Sequence, residues 1–185
     1  MLAELHDWLW QALDRAITDP GHGFHTGVLA NAASARTLVL RGARREPPQI
    51  LFWSDRRAPK VAQLQTDPRA TLVVHAERRQ LRLSGTMSIH LDDALAEAEW
   101  ARCTLSSRRA YLALAAPGSV LPAPGSALPE GLDTRAPTLE ESLPGRMNFA
   151  VLRLAVEQID CLLLEPGGHR RAGFMGDGNG EWRVP

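Results

Sequence analysis

Arg36, Ser54 and Lys60 are the side chains in this sequence best suited to hold an anion, and their spacing gives the reason to read them together. Arg36 opens the strand-like run Arg36-Thr37-Leu38-Val39-Leu40-Arg41, and Ser54 ends the run Leu51-Phe52-Trp53-Ser54. Lys60 falls in the first turn of a short helix that follows. A guanidinium, a hydroxyl and an ammonium beside a helix start are what a phosphate needs for charge-assisted hydrogen bonds. Taken singly, each cation reads as a solvated surface charge; their joint placement at element ends reads as a rim. Gln80 and Arg82 share the polar face of a later strand, where an amide can bond the carbonyl and ring-nitrogen edge of a flat heterocycle. The plainer reading of Gln80 is a polar residue facing solvent. Trp53 offers a stacking surface, although an aromatic in an apolar strand is more often core. His169 with Arg170-Arg171 and Trp182 forms a polar C-terminal cluster, which by itself reads as a solvated hairpin.

The elements that must position these groups follow from periodicity. Leu2, Leu5, Leu9, Leu13 and Ile17, widened by Trp8, predict an amphipathic helix stopped at Asp19-Pro20-Gly21. Thr26–Ala32 and Arg36–Leu40 read as a strand pair joined through Ala33-Ser34-Ala35, and Gln49–Trp53 as a third strand. Pro59 suits the start of a helix over Lys60–Gln65, since its missing N–H costs nothing there. Ala70–His75 is a fourth strand. In the fifth, Leu81, Leu83, Met87 and Ile89 share one face and Gln80, Arg82, Ser84, Thr86 and Ser88 the other. Gly85 in its middle predicts a bulge or a close approach by another backbone or a ligand. Asp92-Asp93 supplies the cap of a helix over Ala94–Cys103, and a short helical run from Ser106 to Leu114 follows. Asn148–Leu154, Gln158–Leu164 and Arg170–Phe174 are further strands. Six or seven strands with hairpin-like links favour an antiparallel barrel over a parallel doubly wound sheet. The fold class expected is α+β, mainly β with helices, in one domain over residues 1–185 with a Pro/Gly-rich excursion at about 115–146.

Composition narrows the function classes. Basic and acidic residues number 21 each, so nothing favours nucleic acid or an anionic membrane surface as partner. The longest uncharged stretch, Ala110–Pro129, is broken by four prolines and cannot form a regular membrane-spanning helix. The N-terminus carries acids and no cleavage-like signal, and Cys103 and Cys161 lack metal-type spacing; both fit a cytoplasmic protein. The six histidines are scattered without a HExxH pattern, so no metal site is expected. Gly-rich phosphate loops and a GxSxG elbow are also absent.

The runs Ala35–Arg41, Trp53-Ser54 with Lys60 and Gln63-Leu64, Asp67-Pro68-Arg69-Ala70, and Arg79-Gln80-Leu81-Arg82-Leu83-Ser84-Gly85 together resemble the pyridoxamine 5'-phosphate oxidase family of FMN-binding split barrels. The resemblance runs from about Thr26 to Gly85 and returns more weakly from Phe149 to Pro185. It is closer to the divergent, oxidase-like group, with the Trp100 helix, Ser106–Tyr111 and a Pro-Gly loop. It implies an antiparallel split β-barrel and a homodimer with FMN at the subunit interface. It places Arg36, Thr37, Leu38 and Val39 beside the flavin, with Arg36 on the phosphate. It assigns Trp53, Ser54, Lys60, Gln80 and Arg171 to the cofactor, and Arg41 and His169 to a small-molecule substrate.

Three departures stand out. Pro59 occupies the place of a phosphate-binding arginine, which Arg56 or Arg57 would have to replace. Arg41 replaces the lysine that touches substrate phosphate. Gly167 stands where the family has a substrate-facing arginine. The resemblance therefore implies an FMN-dependent oxidoreductase, acting on CH–NH2 or a related donor, with an altered substrate site. The alternative is a non-catalytic protein that binds or senses FMN or another ring-shaped ligand on the same fold.

Overall fold

The computed structural model describes residues 1–32 and 34–185. Among them run α1 (Leu2–Thr18), β1 (Thr26–Ala30), β2 (Ala35–Arg44), β3 (Gln49–Asp55), α2 (Pro59–Thr66), β4 (Arg69–Ala76), β5 (Arg79–His90), α3 (Ala94–Arg102), α4 (Leu105–Arg108), α5 (Leu139–Ser142), β6 (Phe149–Leu163), β7 (Arg170–Met175) and β8 (Gly180–Arg183). The strands lie in the order β3-β2-β1-β4-β5-β6-β7-β8, and β3 pairs additionally with β6. That extra pairing closes six strands into an antiparallel barrel, with β7 and β8 as outer strands. Closure removes the exposed edges that an open six-stranded sheet would present. The expected α+β antiparallel barrel is the fold observed.

Local chemistry explains most boundaries. Leu9 and Leu13 on α1 are fully buried, joined by His6, Trp10, Ala12 and Ala16. Pro59 opens α2, and the Asp93 carboxylate caps α3 by accepting from the Ala96 N–H at 3.0 Å. On β5, Leu81, Leu83 and Met87 are buried while Arg82 and Thr86 are exposed, as the alternation predicts. The turn before β5 is tighter than its charge suggests: Glu77 and Arg78 adopt φ of 49° and 63°. The expected link Ala33-Ser34-Ala35 includes Ala33, which lies outside the described residues, and β1 ends at Ala30 instead of Ala32.

Two expectations are corrected. The strands read separately at Asn148–Leu154 and Gln158–Leu164 are one fifteen-residue strand, β6. Backbone pairing carries it through the middle: the Val156 N–H donates to the Pro48 carbonyl at 2.9 Å, and the Gly176 N–H to the Glu157 carbonyl at 2.8 Å. The run expected from Ser106 to Leu114 splits into α4 and a 3-10 turn over Arg109–Leu112. With β8, the described strands number eight.

The chain divides into two compact units. The first comprises Met1–Phe52, Asp67–Ser88 and Arg153–Pro185, and its core includes Leu9, Leu13, Leu29, Leu40, Leu72, Leu81 and Leu83. Here Gly85 meets β6 so closely that a Cβ would collide with the Ala155 carbonyl. The close backbone approach expected at this glycine is therefore made by the neighbouring strand. The second unit comprises Trp53–Thr66 and Ile89–Leu152. It is built on an aromatic cluster, with Phe149 5.0 Å from Tyr111, 5.3 Å from Trp100 and 6.1 Å from Trp53 between ring centres. Arg108 stacks 4.5 Å over Trp100 and donates to the Trp100 carbonyl at 2.9 Å. The Pro/Gly-rich excursion belongs to this unit. Arg109 gathers it, with Nη1 at 3.4 to 3.5 Å from the carbonyls of Leu132, Asp133 and Arg135. A capping box at Thr138 and Glu141, with Arg135 clasping Glu141, fixes its far end.

Candidate functional site

Strand register decides which way the candidate side chains of β2 start. Arg36 lies directly opposite the fully buried Leu29, and Thr37 opposite Val28, which is 41% exposed. Directly opposed residues of an antiparallel pair share a face. Arg36, Leu38 and Leu40 therefore begin on the core side, and Thr37 and Val39 on the outer side; the Arg36 Nη1 is shielded from solvent. Arg41 is the extra residue of a bulge, since Leu40 pairs with Phe52 and Gly42 with Leu51. Bulges re-aim a side chain.

Gln80 pairs with His75 across β4–β5 and is half-buried; among the described residues its amide makes no hydrogen bond. On the same outer face, Thr71 and Ser84 oppose one another and share a hydrogen bond of 2.9 Å. A groove of about 560 Å³ borders this region, lined by Asn31, Asp67, Arg69, Thr71, Ser84 and Glu157 among others. None of the sequence-predicted site residues lines it. Also in the first unit, Arg171 on β7 is clasped by Asp160 of β6, with Nη2 2.8 Å from Oδ2. His169 stands exposed just before β7.

The second unit holds Trp53, Ser54 and Lys60. Trp53 is half-buried and donates its indole N–H to the buried carboxylate of Glu99 at 2.8 Å. Glu99 also pairs with Arg102 at 2.5 Å, so the indole is held by a carboxylate that is itself charge-balanced. Ser54 is buried at the end of β3, with its hydroxyl 3.2 Å from the Asp55 carbonyl. Lys60, half-buried, sits in the first turn of α2. Neither replacement for the cation lost at Pro59 is idle. Arg57 forms a two-pronged pair with the buried Asp55, at 3.0 and 2.7 Å, and donates to the Ala113 carbonyl at 2.9 Å. Its pKa is raised, chiefly by the hydrogen bond to Asp55. Arg56 lies 3.6 Å from Asp92 and donates to the Met147 carbonyl. The predicted residues thus fall into two sets: Arg36, Thr37, Leu38, Val39, Arg41, Gln80, His169 and Arg171 in the first unit, and Trp53, Ser54 and Lys60 in the second.

Residues 10–91 match the family described as the pyridoxamine 5'-phosphate oxidase FMN-binding domain. Over that span the chain is similar to this family.

Solved structures agree on the fold. A pyridoxamine 5'-phosphate oxidase-related, FMN-binding protein from Nostoc punctiforme superposes with a TM-score of 0.74 at 22% identity, covering 97% of this chain and 96% of that one. PhzG from Burkholderia lata, solved with tetrahydrophenazine-1-carboxylic acid, gives 0.68 at 16% identity, covering 98% and 90%. A protein related to general stress protein 26, from Clostridium acetobutylicum, gives 0.51 at 13% identity, covering 82% and 85%. No curated protein matches the sequence. Among the described residues no His, Cys, Asp and Glu cluster suits a metal ion, and no helix is long and apolar enough to cross a membrane.

The residue types present fit FMN. A phosphate calls for hydroxyl and cationic donors, which Ser54 and Lys60 offer at a strand end and a helix start. A flavin ring edge calls for an amide that can donate and accept, and Gln80 carries one with no partner among the described residues. Two positions escaped sequence reasoning: Glu99, which fixes Trp53, and Asp160, which fixes Arg171. Each is a long-range partner without a local signature.

Proposed function

We propose that the protein binds FMN as a homodimer, with the cofactor at the subunit interface, and acts as an oxidoreductase on a small-molecule substrate. The observation that carries this reading is the span of the family match. Residues 10–91 contain Arg36, Trp53, Ser54, Lys60 and Gln80, five residues that the motif resemblance assigns to the cofactor.

In this reading Arg36, Ser54 and Lys60 hold the phosphate, while Thr37, Leu38 and Val39 run beside the ring. Gln80 bonds the ring's polar edge. Trp53 presents an indole face whose rotation Glu99 restrains. Arg171 places positive charge near the ring, and Arg41 and His169 face the substrate. When bound, the flavin supplies hydride chemistry; the protein's share is binding, orientation and electrostatics.

The exposed Gly167-Gly168 turn, where the family has an arginine, favours a substrate other than pyridoxamine 5'-phosphate. The same turn supports a second reading, a protein that binds or senses FMN without turnover. Two steps test both. Flavin absorbance of the purified protein, or its appearance on adding FMN, tests binding. Anaerobic bleaching of the bound flavin by candidate amines, followed by its reoxidation on admitting oxygen, then separates an enzyme from a sensor. A colourless protein that ignores FMN contradicts both readings.

A further inference from the structure

We propose that Asp160 is a positioning residue for Arg171, holding its guanidinium in the orientation used on bound FMN and cancelling part of its field. The inference rests on the flavin reading above, in which Arg171 lies near the ring.

Register puts the two groups together. On the β6–β7 ladder Asp160 pairs with Gly173 and Leu162 with Arg171, so Asp160 and Arg171 are diagonal neighbours on one sheet face. Arg171 Nε lies 3.2 and 3.0 Å from the two carboxylate oxygens, and Nη2 lies 2.8 Å from Oδ2. The Asp160 side chain is 15% exposed and that of Arg171 32%. Two contacts from a planar fork fix the direction of a guanidinium, which a single point contact does not.

A second cation approaches the same carboxylate. Arg183 on β8 pairs with Arg171 across the strands, and its Nη1 lies 4.0 Å from Asp160 Oδ2. It reaches there by lying over Gly173, where a Cβ would collide with its guanidinium. Glu181 takes the other side of Arg183, at 3.1 and 3.0 Å from Nε and Nη2. Arg183 is therefore held mainly by Glu181, which leaves Arg171 as the principal partner of Asp160.

The electrostatic consequence has a sign. A flavin gains negative charge on reduction, so a nearby cation favours the reduced form and a carboxylate paired with that cation offsets the effect. Removing the Asp160 charge should make bound FMN easier to reduce; removing the Arg171 charge should make it harder. Freeing Arg171 also means that it must be ordered when FMN binds, which weakens affinity.

The test compares the unaltered protein with Asp160→Asn, Asp160→Glu, Arg171→Gln and the Asp160→Asn/Arg171→Gln pair. It measures FMN affinity by fluorescence titration and midpoint potential by spectroelectrochemistry. Asp160→Asn is expected to weaken FMN binding by about threefold to tenfold and to shift the potential positive. Asp160→Glu, which keeps the charge, should stay near the unaltered protein. Arg171→Gln should shift the potential negative and remove most of the effect of Asp160→Asn on FMN affinity. Unchanged affinity and potential in Asp160→Asn, in protein that binds FMN, overturns the proposal and leaves the flavin reading standing. So does an Asp160→Asn loss of FMN affinity of full size in the Arg171→Gln background. An unaltered protein that binds no FMN removes the flavin reading first and this proposal with it.

Discussion

The indole N–H of Trp10 donates to Nε2 of His6 at 3.1 Å, one turn apart on the buried side of α1. That acceptor role requires a lone pair on Nε2, so the imidazole there is neutral. Phe174 of β7 packs against the ring at 5.0 Å, and Gly178 in the β7–β8 turn closes over it at φ +86°. Burial lowers the His6 pKa from the ordinary histidine value, the nearby Arg45 lowers it further, and Asp7 partly opposes.

This fixes the sign of a pH effect. The unfolded chain takes up the His6 proton at its ordinary pKa, about 6.5, whereas the folded chain takes it up only at lower pH. Stability is unaffected by His6 above that value and falls as pH drops from there toward the depressed folded pKa. Urea midpoints measured between about pH 7 and 5 should fall less steeply in His6→Gln, which cannot titrate, than in the unaltered protein. Identical slopes would show that His6 does not titrate differently on folding.

Gly85 should tolerate no side chain. In Gly85→Ala the new methyl group meets the Ala155 carbonyl of β6, which is backbone and cannot rotate away. A loss of about 2–4 kcal/mol in urea unfolding is expected, by strain within the barrel. Gly167 is the matched control: nothing lies within 4 Å of its would-be Cβ, and Gly167→Ala should stay within about 0.5 kcal/mol. Equal effects at the two sites would contradict the close approach.

Glu99 should matter through Trp53. The carboxylate is buried, accepts the indole N–H and balances Arg102. Glu99→Ala leaves the indole donor without its acceptor and is expected to cost about 1–3 kcal/mol. Glu99→Gln keeps an acceptor and should cost less. Thermal melts would order the two variants, and Glu99→Ala should also change the tryptophan fluorescence. A Glu99→Ala melt matching the unaltered protein would mean that the bond contributes nothing.

Much of the architecture was legible in the residues because the signals were local. Leucine spacing marked α1, strict alternation marked β5, Pro59 marked the start of α2, and Asp93 marked the cap of α3. Gly85 announced a bulge or a close approach by a backbone or a ligand, and only the fold shows that the β6 backbone makes it. What stayed hidden was long-range. The middle of β6 looked like a break because Ala155, Val156 and Glu157 carry no strand pattern of their own; their strand character comes from bonds to Pro48 and Gly176. The core-side start of Arg36 follows from its register with Leu29, which no reading of β2 alone contains. Glu99 lies 46 residues from Trp53, and Asp160 eleven from Arg171, so neither pairing follows from sequence spacing.

The proposal that FMN is held through its phosphate by Arg36 and Lys60 is tested most directly by a flavin titration of three proteins. The unaltered protein should bind FMN saturably, with the shifted absorbance and altered fluorescence of a sequestered flavin. Arg36→Ala and Lys60→Ala should each weaken that binding by about 1–3 kcal/mol, the scale of a charge-assisted hydrogen bond. No binding by the unaltered protein, or the same affinity in all three, would contradict the account.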